Sequence, residues 1–143
     1  MAGMMLTLFS CGYTLRKKPK GTFKYYEYRS SVMGIEPEEY YRLEYKEDVG
    51  LTLSWAKDGS ETETIQVPDT AAQEVSALIM KYKLYRLKKS YQPAFDVYDG
   101  RSWHVYFRFG EDMLNCSGYH TWPSGKLLQG IREINEYFQT LIQ

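Results

Sequence analysis

Apolar and polar positions alternate with a period of two over several stretches of this chain, and that alternation predicts a sheet. From Trp103 to Phe109, Trp103, Val105, Phe107 and Phe109 point one way while His104, Tyr106 and Arg108 point the other. Asp99-Gly100 turns the chain into this strand, and Gly110-Glu111-Asp112 reverses it into a second, Met113 to Tyr119. Earlier, Tyr41, Leu43 and Tyr45 oppose Arg42, Glu44 and Lys46, and after the turn Glu47-Asp48-Val49-Gly50, Leu51, Leu53 and Trp55 oppose Thr52 and Ser54. Asp58-Gly59 suits a type I′ hairpin, which needs positive φ at both central residues, and leads into Glu61 to Val67. The stretch from Thr22 to Val32 is rich in strand formers. It carries aromatics on both sides, Phe23 and Tyr25 against Tyr26 and Tyr28, so the pattern selects no inward face.

Two segments switch to helical spacing. Val75, Leu78, Ile79 and Tyr82 form one stripe from about Ala71 to Tyr82, with Asp69 or Thr70 as caps and Thr70 and Gln73 at capping-box spacing. Leu84 and Leu87 extend the helix through the basic stretch Lys83 to Lys89. Ser90 to Tyr98 holds no period and contains Pro93, and so reads as a loop. The last helix follows Trp122-Pro123, with Ser124 as cap and an unbroken stripe of Leu127, Ile131, Ile134, Phe138 and Leu141. Such a stripe needs an apolar bed, at about 1.5–3 kcal/mol of transfer energy per large side chain. Six candidate strands in hairpins with two amphipathic helices predict an α+β fold: an antiparallel sheet of about five to six strands with both helices on one face. A lipocalin-like barrel would need about eight strands and would leave the Val75 to Tyr82 stripe unhoused.

Composition narrows the functional classes. The 143 residues carry 18 basic and 18 acidic side chains, a balance that argues against a dedicated nucleic-acid binder. No composition shift or repeat divides the chain, so residues 22–143 read as one domain. Fourteen tyrosines exceed what a core requires and imply an aromatic surface or groove. Ahead of the domain, residues 1–10 are uncharged and mostly apolar, too short to span a bilayer, and residues 11–21 carry the start of a basic cluster, Arg16, Lys17, Lys18 and Lys20, with Lys24 beyond it. Leu8-Phe9-Ser10-Cys11 resembles the lipobox of bacterial lipoproteins. The resemblance implies a signal remnant over residues 1–10, cleavage before Cys11, acylation of Cys11, and a basic tether over residues 11–21 lying against anionic headgroups. Phe9 is bulkier than that motif prefers, and no Lys or Arg precedes the apolar run. Cys116 then lacks a partner and is expected as a small buried side chain; without lipidation, a Cys11 to Cys116 disulfide remains open.

The segments Asp99-Gly100-x-Ser102-Trp103 and Ser117-Gly118-Tyr119-x-x-Trp122-Pro123 resemble an uncharacterised family of small bacterial proteins, several of them lipoproteins of gut anaerobes, over roughly Tyr41 to Phe138. The resemblance implies the fold and no activity.

Candidate chemistry is sparse. His104 and His120 lack a third ligand at recognisable spacing, so no metal site is expected. A Cys116/histidine pair would need a thiolate that a mid-strand cysteine does not favour. Ser102 and Ser117 lack a nucleophile elbow, Glu36, Glu38 and Glu39 are too local for a glycosidase pair, and no glycine-rich phosphate loop is present; no cofactor is expected. The expected binding surface is aromatic: Tyr91, Tyr98, Tyr119, His120 and Trp122 at one end of the sheet, stacking on sugars or peptide segments. The chain thus reads as a non-catalytic domain of the bacterial cell envelope, lipid-anchored to a membrane and binding a protein, peptide or glycan. The alternatives are a small hydrolase or isomerase using His104 or His120, and a purely structural envelope component. Growing cells with a palmitate analogue tests the anchor: label on the native chain and none on Cys11→Ala is expected, and label retained on the variant refutes lipidation.

Overall fold

The described residues form seven strands and two helices: β1 (Phe23–Val32), β2 (Glu39–Lys46), β3 (Gly50–Lys57), β4 (Glu63–Gln66), α1 (Thr70–Lys81), β5 (Ser90–Tyr91), β6 (Arg101–Phe109), β7 (Asp112–Tyr119) and α2 (Gly125–Ile142). The computed structural model describes residues 17–32, 38–97 and 100–143; Cys11 with its apolar run, Glu36, Tyr98 and Asp99 lie outside the described residues. The strands form one sheet in the order β4-β3-β2-β1-β6-β7-β5. All pairings are antiparallel except β5 with β7, which is parallel. The chain is therefore α+β.

Directly opposed residues in a ladder share a face. Ile65, Leu53, Leu43, Tyr26, Phe107 and Leu114 are successive partners across six strands, so one apolar row crosses the sheet. Beside it runs a second row: Trp55, Tyr41, Tyr28, Val105 and Cys116. α2 sets Phe138 on both rows, its ring centroid 5.8 Å from Tyr26 and 5.4 Å from Tyr41. α1 adds Val75, Leu78 and Ile79 to the same cluster. The helices meet at Gly130, where a Cβ would approach that of Tyr82 to 2.6 Å; only glycine allows that distance. Both helices thus roof the same face.

Four details differ from the reading of the sequence. The seventh strand, β5, has two residues, too few to display a period. α1 stops at Lys81 instead of continuing to Lys89: Lys83 adopts a left-handed φ of 54°, and a single 3₁₀ turn at Leu84–Arg86 redirects the chain so that Leu84 and Leu87 both reach the core. Neither Asp69 nor Ser124 makes a side-chain capping bond. The amides of Ala71 and Ala72 instead donate to the carbonyls of Pro68 and Asp69, and burial together with the nearby Asp69 carboxylate raises the Tyr45 phenol above its ordinary pKa. Tyr45, in phase with Tyr41 and Leu43, lies near the strand end and is half exposed.

The ambiguity in β1 has a geometric answer. A register shift between Phe23 and Tyr25 puts Phe23 opposite Phe109 and Tyr26 opposite Phe107, both inward, and sends Tyr25 outward with Arg108. One added residue moves the following side chains to the other face. The hairpin at Asp58-Gly59 forms as the residues require, with φ of 52° and 73° and the Ser60 amide donating to the Lys57 carbonyl at 3.0 Å.

Two substitutions separate packing from polarity in this core. Phe138→Ala is expected to cost about 3–5 kcal/mol, the range for a buried aromatic that leaves a cavity. Tyr26→Phe removes a hydroxyl that is buried without a partner among the described residues, and leaves stability unchanged or raises it by about 1 kcal/mol. Urea unfolding with an unchanged m-value measures both.

Candidate functional site

Toward the end of β1 the inward rows change character. The third set of partners reads Glu39, Ser30, Trp103, Gly118 and Tyr91, polar at β2 and β1 where the first two rows are apolar or aromatic. α2, held at Phe138, presents Asn135 one turn earlier and Ile131 two turns earlier on the same side. A cleft of about 540 Å³ opens between helix and sheet, with Tyr28, Ser30, Trp103, Ile131 and Asn135 along its walls and Glu38, Arg101 and Trp122 among its lining residues.

Local chain geometry positions the two tryptophans. Trp103 donates from Nε1 to the Thr121 carbonyl at 2.8 Å and lies across Gly118, where a Cβ would come within 2.1 Å of that nitrogen. The glycine of the Ser117-Gly118 pair is thus required by close passage of the indole. Tyr91 packs against Trp103 with ring centroids 5.6 Å apart. Beyond β7, His120 takes a φ of 45° and donates its amide to the Arg101 carbonyl at 2.7 Å, closing the hairpin. Trp122 follows, 40% exposed, its ring 5.5 Å from that of His120.

Part of the polar lining is engaged. Tyr41 donates to Glu39 Oε2 at 3.2 Å and accepts from Gln139 Nε2 at 3.2 Å. Arg101 bridges to Glu38 at 3.1 Å, an exposed pair worth little by itself. Burial holds the Tyr28 phenol above its ordinary pKa and so keeps it protonated. Asn135 is only 8% exposed: its Oδ1 is buried, and no donor among the described residues reaches it. The cleft therefore combines an aromatic plate, hydroxyl and amide groups, and an acceptor without a donor.

The residues singled out from the sequence are distributed over both faces. His120 and Trp122 are in ring contact. Tyr91 packs on Trp103 and is not among the residues that line the cleft. Tyr119 pairs with Ser102, so alternation sends it to the face away from the helices, where its hydroxyl donates to the Val97 carbonyl at 2.5 Å. Tyr98 lies outside the described residues. On that far face His104 donates from Nε2 to Asn115 Oδ1 at 2.5 Å, with Nδ1 3.9 Å from Glu27 Oε2. Glu27 also accepts from the Tyr25 hydroxyl at 2.6 Å and from Arg29 Nη2 at 2.7 Å, and burial with the bond to Glu27 raises the Tyr25 phenol. Ser102 and Ser117 share this face, whereas Cys116 points into the core. Among the cleft residues absent from the sequence reading are Ser30, Arg101, Leu128 and Asn135. Ser30 is in phase with Tyr26 and Tyr28, and Asn135 stands three residues before Phe138; a polar residue in an apolar row was the available signal.

The chain matches no protein-family model, and no curated protein shows significant similarity to it.

Cys116 gives this geometry a chemical test. Burial pushes its thiol from about 9 up to about 12, so the folded state keeps the proton. Its contribution to stability is whole below about pH 9 and is lost as the pH climbs toward 12. In a Cys11→Ser background, a disulfide reagent at pH 8 is expected to modify Cys116 only as fast as the protein unfolds. Rapid labelling of the native chain would contradict the assignment.

Proposed function

We propose that this protein is a non-catalytic binding domain of the bacterial cell envelope, tethered to a membrane by lipid on Cys11, which holds a protein, peptide or glycan ligand in the cleft between α2 and the end of the sheet. The observation that carries the reading is an exposed Trp122 at the edge of a cleft whose interior is polar and aromatic. Apolar pockets with a few convergent polar groups are the usual form of a ligand site. Exposed tryptophans are the side chains most often found at the energetic centre of an interface.

The lining argues for binding over turnover. Neither histidine is among the residues that line the cleft. The core thiol is protonated and buried. The tether rests on Leu8-Phe9-Ser10-Cys11 and the basic residues after it, whose charge favours an anionic leaflet. No described helix is long and apolar enough to cross a membrane.

A panel of soluble oligosaccharides and a random peptide library, followed by tryptophan emission, tests the site. Trp122→Ala is expected to weaken whichever probe binds by at least tenfold, about 1.4 kcal/mol, while His104→Ala leaves affinity unchanged. Binding untouched by Trp122→Ala, or a probe chemically converted in a manner that His104→Ala abolishes, would overturn the proposal.

A further inference from the structure

Asn135 specifies what the cleft should hold. Asn135 lines the cavity while its oxygen is buried, the residue 8% exposed and with no donor in reach of that oxygen among the described residues. An unsatisfied buried acceptor is costly, and native proteins keep few. The terminal torsion of asparagine is broad and roughly two-fold, so the carboxamide can turn either its oxygen or its nitrogen toward the cavity. A ligand group that both donates and accepts satisfies either orientation.

The other lining groups restrict that group further. Glu38, Glu39 and Glu136 stand against Arg101 and Arg132, and Arg101 is already bound to Glu38. Carboxylates outnumber guanidinium groups, which disfavours an acidic ligand. Acceptors on a ligand would find Arg132, Gln139 and the Ser30 and Tyr28 hydroxyls; donors would find Asn135 and the carboxylates. A group that is donor and acceptor at every position fits this lining, and that is a hydroxyl. A peptide supplies one backbone donor per residue and gains most by extending a sheet edge. The sheet edges here are β4 and β5, and neither contributes a residue to the cleft. Trp122 offers a flat apolar face beside these polar groups, the complement of a pyranose ring, which has hydroxyls at its rim and C–H groups on its faces.

We infer that the cleft binds a neutral saccharide, stacked on Trp122, with a ligand hydroxyl hydrogen-bonded to the Asn135 carboxamide. The assignment rests on the cleft being the binding site proposed above and adds the class of its ligand. At about 540 Å³, the cavity matches small-ligand sites in general and suits a short oligosaccharide.

The probes are neutral gluco-, manno- and chito-oligosaccharides of two to four units, oligogalacturonates as acidic counterparts, and a random peptide library, each titrated against the full chain with tryptophan emission and calorimetry. A neutral oligosaccharide is expected to bind saturably. Trp122→Ala and Asn135→Leu should each weaken it at least tenfold, and Asn135→Asp, which keeps an acceptor, should weaken it less. Asn135→Leu keeps the branching and heavy-atom count of the side chain and removes the orphaned oxygen, so its melting temperature should equal or exceed that of the native chain, which distinguishes lost recognition from lost folding. Preference for the acidic oligomers, or unchanged binding in Asn135→Leu, overturns the inference. A peptide that binds through Trp122 while every saccharide fails overturns the inference and leaves the proposed binding site standing. Failure of every probe overturns both.

Discussion

The contact of Phe138 with Tyr26 and Tyr41 is the constraint from which the rest of this structure follows. Tyr26 belongs to the central strand and is also stacked parallel to Phe107 at 6.5 Å, so one ring joins β1, β6 and α2. Aromatic pairs of this kind add about 0.5–1.5 kcal/mol each beyond the area they bury. The apolar row from Ile65 to Leu114 gives the sheet its register, because a one-residue slip in any strand would turn its buried side chain to the other face. α2 has one place to lie.

That placement also produces the cleft. Over the first two rows the sheet offers apolar and aromatic side chains, and the helix seals against them. At the third row it meets Ser30 and Glu39, while Asn135 replaces an aliphatic residue on the helix side. Neither surface can close apolar on apolar, and the cavity persists between them. Trp103 keeps it open from below, held rigid by its bond to the Thr121 carbonyl and by passage over Gly118. The site is therefore made by the fold's own interruption of its hydrophobic pattern, and is fixed by the same packing that stabilises the domain.

Much of this was legible in the residues, and the losses have identifiable causes. β2, β3, β6, β7 and α2 carry clean periods of two or 3.6, and they formed nearly where the pattern put them. β1 hid its inward face because a bulge after Phe23 breaks the phase. β5 is too short to show a phase, and the break at Lys83 depends on a left-handed residue that no glycine or asparagine announced. Alternation along β7, followed through its pairing, separates Tyr119 from Trp122 across the sheet, although the two are close in sequence. The cleft was invisible for a different reason. Its polar residues come from β1, the start of β2, the start of β6 and α2, and only the register brings them together.

Native-state hydrogen exchange tests the central claim most directly. If the Phe138 contact unites the layers, the most protected amides of β1, β6 and the Ile131 to Phe138 turns of α2 will exchange in one cooperative opening, at the free energy of global unfolding. Exchange of those α2 amides at a distinctly lower free energy, with the sheet still protected, would mean that helix and sheet are separable and that the cleft between them has no fixed shape.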